Sequence, residues 1–82
     1  MVNITFDESF KKTIVKLQKT PLSEKIKKQI SKIVHDPTCG KPMRYGRKGT
    51  RELYIKPFRI SYVYNQKNSH IIFLEIYHKN DQ

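Results

Sequence analysis

The chain has 82 residues, the size of one small domain, and we expect residues 1–82 to fold as a single unit. Its 17 lysines and arginines against 7 aspartates and glutamates give a net charge of +10, which favours a polyanionic partner: nucleic acid, a ribosome or an acidic protein. The single cysteine excludes an intramolecular disulfide, and no apolar run approaches the roughly 20 residues that span a membrane. We therefore expect a cytoplasmic protein without signal peptide, membrane segment, metal or cofactor.

The first half of the chain predicts one strand and two helices. Apolar and polar residues alternate over Val2–Phe6, as in a half-buried strand. Asp7 is a suitable N-cap for a helix over Asp7–Gln18, in which apolar residues recur at helical spacing. Thr20 as N-cap and Pro21 at the first helical position predict the start of a second helix with its own apolar stripe.

The second half predicts three strands in an antiparallel meander. These strands are Arg51–Lys56, Phe58–Asn65 and His70–Tyr77, with a polar hairpin loop before the last. The order strand, helix, helix, strand, strand, strand gives an α+β fold in which both N-terminal helices pack on one face of an antiparallel sheet. On the last strand, strict alternation assigns to the core face Ile72, Leu74 and Ile76. The open face would carry Glu52, Tyr54, Lys56, Arg59, Ser61, Phe73, Glu75 and Tyr77.

Basic residues concentrate at the entrance to this meander. All four arginines of the chain lie between Lys41 and Arg59, interleaved with aromatic residues, and this pattern is typical of contact with RNA or phosphate. Alternation alone puts Arg51 on the core face, but alternation is a weak guide to side-chain direction at the first residue of a strand. The candidate RNA-binding residues are Arg44, Arg47, Lys48, Arg51, Tyr54, Tyr77 and Lys79.

Cleavage of RNA needs a base for the 2′-hydroxyl, a cation for the pentacovalent phosphate and an acid for the leaving 5′-oxygen. Arg59 lies in the middle of an otherwise apolar strand and is the candidate phosphate clamp, with Lys56 as a second cation. Glu52 is the candidate base, or alternatively the cross-strand ion-pair partner of Arg59. His78, at the edge of the open face, is the candidate acid, or alternatively a solvated residue at the end of a strand.

Several segments together resemble the RelE/ParE toxin superfamily. The run Phe6–Lys12 resembles the opening strand-to-helix junction of that family. Pro42–Gly46, followed by Gly49–Ile55 and then Phe58–Tyr62, resembles its central pattern: a glycine turn, an alternating strand, and a strand with an aromatic-Arg-aliphatic-x-Tyr motif. Ile76–Lys79 resembles the end of its closing strand. The resemblance covers nearly the whole chain.

This resemblance implies a RelE-like β-α-α-β-β-β fold and a toxin of a type II toxin–antitoxin system. RelE-type members are endoribonucleases that cut mRNA on the ribosome, and a RelB-like, acidic, partly helical antitoxin silences them. ParE-type members instead inhibit DNA gyrase, so a gyrase inhibitor or an inactive binding module is the alternative.

The resemblance also assigns roles to individual residues. Arg59 matches the strand arginine that contacts the scissile phosphate in RelE-type toxins. Glu52 and Tyr54 stand where some relatives carry catalytic lysines, and Asn80 stands near a second family arginine. Glu52 with His78 resembles another version of the site, which uses a glutamate and a near-terminal histidine.

Overall fold

Five strands and two helices make up the part of the chain that the computed structural model describes, residues 2–42 and 49–78. In chain order the elements are β1 (Asn3–Phe6), α1 (Glu8–Leu17), α2 (Leu22–His35), β2 (Lys41–Pro42), β3 (Thr50–Ile55), β4 (Phe58–Asn65) and β5 (His70–His78). The strands form one sheet in the order β1-β5-β4-β3-β2. All neighbours are antiparallel except β1, which pairs with β5 in parallel. The predicted α+β fold is confirmed, with one parallel pair and one short strand added.

The first helix begins and ends as predicted, but the second does not begin with the predicted cap. Asp7 accepts a hydrogen bond from the Ser9 N–H at 3.2 Å and caps α1. Thr20, predicted as the N-cap of α2, instead donates its hydroxyl to the Leu17 carbonyl at 2.7 Å, and Pro21 occupies the cap position. The connection is so short that Thr20 satisfies the end of α1 rather than the start of α2. Within the described residues, neither helix is long and apolar enough to cross a membrane.

The core lies between the two helices and one face of the sheet. Phe10 of α1 packs against Phe73 of β5, with ring centroids 5.3 Å apart, and α2 contributes Ile26 and Ile33. The buried hydrophobic residues are Phe10, Ile26, Ile33, Ile55, Ile60, Tyr62, Ile71, Phe73 and Ile76. Because both helices cover the same face, the opposite face has no helix of the described chain on it.

A β-bulge interrupts the pairing of β4 with β5. Ser61 pairs with Glu75, but the next residue, Tyr62, pairs with Phe73. Leu74 is therefore an extra residue on β5 without a partner on β4. An extra residue reverses which face each preceding side chain occupies, because side chains in a strand alternate with a period of two.

Because of the bulge, the residues of β5 that face the core differ from the predicted ones. Phe73 is fully buried under the helices, together with Ile71, so the prediction that Phe73 lies on the open face is wrong. Ile72 and Leu74, predicted for the core face, are only half-buried. Ile76 lies beyond the bulge, and its predicted core position is confirmed.

The turn before β2 is held in place by two side chains of the sheet. The Tyr62 hydroxyl donates to the Pro37 carbonyl at 2.7 Å and accepts from the Gly40 N–H at 3.0 Å. A Cβ atom on Gly40 would lie 2.6 Å from this hydroxyl, so the contact requires glycine. Arg51 donates to the carbonyls of Gly40 at 2.8 Å and Thr38 at 3.2 Å. These bonds place Lys41 and Pro42 against β3, where the sequence predicted only a turn.

We expect Tyr62→Phe to destabilise the fold by about 1–3 kcal/mol, since the buried Gly40 N–H and the Pro37 carbonyl lose their partner. Burial raises the pKa of Tyr62 from 10.0 to about 12. The hydroxyl's contribution is therefore fully present below pH 10 and is lost as the pH rises through 12. Urea unfolding near pH 7 and near pH 11 measures both effects. Tyr64→Phe, on the same strand and face, is the matched control; equal stability of the two variants would contradict this account.

Candidate functional site

The sheet face that points away from the helices carries a polar and aromatic cluster, which we call the distal face. Alternation along β3, β4 and β5 places on it Glu52, Tyr54, Arg59, Ser61, Glu75 and Tyr77. Arg59 lies at its centre, opposite Tyr54 on one neighbouring strand and Tyr77 on the other. The sequence predicted all of these residues for this face.

An ion pair organises the distal face. Arg59 Nη1 donates to Glu52 Oε1 at 2.9 Å, and the two side chains are 27% and 11% exposed. The Arg59 guanidinium also lies over the Tyr54 ring, 5.8 Å from its centroid. The cross-strand ion pair, one of two predicted roles for Glu52, is therefore confirmed. Because both side chains are mostly buried, the pair fixes the guanidinium more firmly than an exposed salt bridge would.

Two buried polar atoms on the distal face have no hydrogen-bond partner among the residues that the structure describes. These are the second carboxylate oxygen of Glu52, Oε2, and the hydroxyl of Tyr77. The centre of the face is closed to solvent, since Ser61 is only 3% exposed. Leaving such groups unpaired costs roughly 1–3 kcal/mol each. Such atoms call for an explanation, and a bound ligand that completes their hydrogen bonds is one.

A cleft of about 490 Å³ opens beside the ion pair, where the short strand β2 ends along β3. Its lining residues are Cys39, Lys41, Glu52, Leu53, Tyr54 and Arg59. Lys41 pairs with Glu52 in the sheet register and lines the same cleft. The sequence analysis did not assign Lys41 to the site, because a two-residue strand leaves no periodic signal. In the described part of the chain, no three His, Cys, Asp or Glu side chains are grouped to hold a metal ion.

His78 does not lie on the distal face. The register pairs it with Phe58, and its ring packs edge-on against the Phe58 ring with centroids 5.4 Å apart. By alternation both residues share the side of Ile76, under the helices. The predicted position of His78 at the edge of the open face is therefore wrong, since neighbouring residues of a strand point to opposite faces.

The remaining predicted residues divide into four groups. Arg51 lies on the helix side and its guanidinium binds two backbone carbonyls, so it holds the turn before β2 rather than facing RNA. Lys56 is exposed in the turn between β3 and β4. Tyr54, 50% exposed, and Tyr77 both belong to the distal face. Outside the described residues lie Arg44, Arg47, Lys48, Lys79 and Asn80.

This architecture is that of bacterial toxins whose structures are solved. The chain superimposes on a chain of the intact E. coli RelBE toxin–antitoxin complex with a TM-score of 0.80, at 17% identity over 100% of both chains. It matches the YoeB/ParE toxin from Agrobacterium tumefaciens with a TM-score of 0.81, at 15% identity over 94% of this chain and 98% of the other. A chain of the RelBE2 complex from Mycobacterium tuberculosis gives 0.78, at 19% identity over 94% and 96%. At these identities the likeness establishes the fold.

The family of the chain is established by its match to a family sequence model. The model of the ParE toxin of type II toxin–antitoxin systems matches residues 4–82, and the chain belongs to this family. The predicted membership of the RelE/ParE superfamily is thus confirmed, and the protein is a toxin of a toxin–antitoxin system. A search of curated protein sequences gave no match.

Proposed function

We propose that this toxin is an endoribonuclease that cleaves mRNA on the ribosome and thereby stops translation in the cytoplasm. The observation that carries the proposal is the Arg59–Glu52 pair: a guanidinium fork, held by a carboxylate and an aromatic ring, at the rim of a cleft. Arginine binds phosphate through two parallel hydrogen bonds, which suits it to a phosphodiester.

The distal face supplies two of the three groups that the reaction needs. Glu52 accepts the 2′-hydroxyl proton. Its Oε2 is buried, so the carboxylate turns toward the cleft when Arg59 leaves it for the phosphate. The 2′-oxygen attacks phosphorus to form a 2′,3′-cyclic phosphate, the bond to the 5′-oxygen breaks, and the leaving 5′-oxygen takes its proton from solvent water. Arg59 stabilises the charge on the pentacovalent phosphate. To do so, Arg59 exchanges the Glu52 carboxylate for the phosphate, while Lys41 remains opposite Glu52 in the register.

Tyr54 and Lys56 have supporting roles in this proposal. The Tyr54 ring is half exposed at the cleft and offers a surface for stacking a base next to the scissile phosphate. Lys56, in the adjoining exposed turn, adds positive charge for the RNA backbone. Four further cations, which lie outside the described residues, are close to these residues in the sequence: Arg44, Arg47, Lys48 and Lys79.

We expect His78→Ala to lower the cleavage rate much less than loss of Arg59, by under about tenfold. A general acid contributes roughly 10²–10⁴-fold to the rate, but only if it reaches the leaving oxygen. The His78 ring instead packs against Phe58, on the helix side of the sheet. Primer extension on mRNA after induction measures the rate, with circular dichroism as the check of folding. A loss of about 100-fold or more in a folded variant would show that the ring turns to the distal face and acts as the acid.

The partner that we propose is an acidic, partly helical antitoxin that covers the basic surface from Arg44 to Arg59. The solved RelBE structures from E. coli and M. tuberculosis are toxin–antitoxin complexes, and the net charge of +10 favours an acidic partner. Arginine-specific chemical modification with mass spectrometry tests this. Arg59 should be protected in the complex, and equal modification of free and bound toxin would argue against direct occlusion.

A non-cleaving, ParE-like inhibitor of DNA gyrase is the second candidate. It is favoured by the position of His78, which leaves the distal face without a histidine among the described residues, and by the name of the matching family. Labelled methionine and thymidine incorporation after induction separates the two functions. We expect protein synthesis to fall first; a fall in DNA synthesis while translation continues would favour gyrase inhibition.

A further inference from the structure

The outer surface of the helix layer carries two rows of lysines, which we call the lysine stripes. They comprise Lys12, Lys16 and Lys19 along α1 and the turn after it, and Lys25, Lys28 and Lys32 along α2. Within each row the spacing is three or four residues, so the side chains lie one above the other. On α2 they point away from the buried residues Ile26 and Ile33, and on α1 away from Phe10. All six are exposed.

The stripes contain the helical lysines that lack an ion-pair partner. Glu8 pairs with Lys11 at 3.6 Å and Glu24 pairs with Lys27 at 3.8 Å, so the acidic residue in the first turn of each helix is engaged outside the stripes. In the described part of the chain, none of the six stripe lysines has a carboxylate within 4.0 Å. The outer side of the helix layer therefore carries six lysines that form no ion pair within 4.0 Å.

This surface cannot serve the proposed cleavage site. The helices cover the face of the sheet with Phe73 and Tyr62, whereas Arg59 and Glu52 point to the other face. The sheet and its core separate the stripes from the scissile phosphate. The lysine stripes and the Arg59–Glu52 pair thus lie on opposite sides of the sheet.

The chemistry of the stripes fits the phosphate backbone of double-stranded RNA. Protein interfaces are depleted in lysine and enriched in aromatic residues. The two helices expose one large apolar side chain, Val15, which is 67% exposed. This composition argues against a protein partner. Proteins bind single-stranded RNA by stacking its bases on aromatic rings. Among Phe, Tyr and Trp, these helices contain only Phe10, and its ring is fully buried. Lysine is a point charge that contacts phosphates without reading bases. Duplex RNA is recognised mainly through its shape and backbone.

We propose that the lysine stripes form a second RNA-binding surface, which docks on the backbone of double-stranded RNA independently of sequence. The inference builds on the proposed function, in which the toxin acts within the structured RNA of the ribosome. It is nevertheless separable from that function, because duplex binding requires no cleavage.

The test measures binding of the full-length protein to a 20-base-pair RNA duplex as a function of salt concentration. The variant Lys25→Gln/Lys28→Gln/Lys32→Gln removes the α2 stripe, and glutamine keeps the helix propensity of lysine. The control Lys11→Gln/Lys27→Gln/Lys67→Gln removes the same charge from positions outside the stripes, so that both variants carry +7 (10 − 3). Thermal unfolding confirms that both remain folded.

A plot of the logarithm of the binding constant against the logarithm of salt concentration has a negative slope, whose magnitude falls by roughly 0.9 per lost phosphate contact. We expect this magnitude to fall by about 2–3 for the stripe variant and by less than about 1 for the control. An equal fall in both would show that net charge alone drives binding and would overturn the inference, as would no fall in either. Tighter binding of a single-stranded RNA of equal length, or loss of antitoxin binding in the stripe variant with duplex binding intact, would also overturn it. The binding assay contains no cleavage step, so its outcome does not depend on primer extension on mRNA, and failure of the cleavage proposal is recognised separately.

Discussion

Arg59→Ala should lower mRNA cleavage by about 10²–10³-fold, the effect of removing one donor that stabilises a transition state. Arg59 is the one arginine of the described residues on the distal face, and its guanidinium already lies at the cleft. The substitution removes no core contact, because the strand buries its other side through Ile60 and Tyr62. Arg59→Lys should restore activity only in part, since a point charge replaces a fork.

Two controls make this result interpretable. Removing Arg59 leaves the mostly buried Glu52 carboxylate without its partner. A buried charge without a partner destabilises the fold. The double variant Arg59→Ala/Glu52→Gln removes that charge and should be equally inactive but more stable. Arg51→Ala should instead lower stability, because Arg51 holds the turn before β2. A folded Arg59→Ala protein that cleaves at the native rate would refute the site.

Phe73→Ala should destabilise the fold by about 3–5 kcal/mol, as expected for a fully buried phenylalanine. Its ring contacts the rings of Phe6, Phe10 and Tyr62, so truncation opens a cavity where the first helix meets the sheet. In a domain of this size the melting temperature should fall by roughly 12 °C or more. Thermal unfolding followed by circular dichroism measures the change.

Leu74→Ala is the matched control for this prediction. It should cost less than half as much, because the bulge leaves Leu74 without a partner on β4 and only half-buried. Strict alternation predicts the reverse order, with Leu74 in the core and Phe73 outside. A larger loss for Leu74→Ala than for Phe73→Ala would therefore show that β5 pairs without the bulge.

The fold could be predicted from the sequence because its elements have strong periodic signals. The apolar stripes of the two helices, the N-cap at Asp7 and the alternation over Phe58–Asn65 all predicted what the structure contains. Alternation also placed Glu52 and Arg59 on one face, close enough for the ion pair that forms. These features depend on local spacing, which a single sequence displays.

Two of the errors share one physical origin, since each depends on pairing between distant segments. The bulge at Leu74 is a property of the register between two strands, and it reversed the predicted positions of Phe73 and Leu74. The place of Lys41 beside Glu52 depends on a two-residue strand held by tertiary hydrogen bonds. His78 is an error of another kind, because alternation with Ile76 and Tyr77 already indicates the helix side, where it pairs with Phe58.

Mapping mRNA 5′ ends across the transcriptome after induction tests the central proposal most directly. Cells that express the unaltered toxin should accumulate new 5′ ends inside coding sequences, and cells that express folded Arg59→Ala at the same level should lack them. Because Glu52 and Arg59 form one unit, Glu52→Gln should also reduce these ends. Growth arrest by the unaltered toxin without new 5′ ends, or equal ends with Arg59→Ala, would contradict RNA cleavage by the distal face.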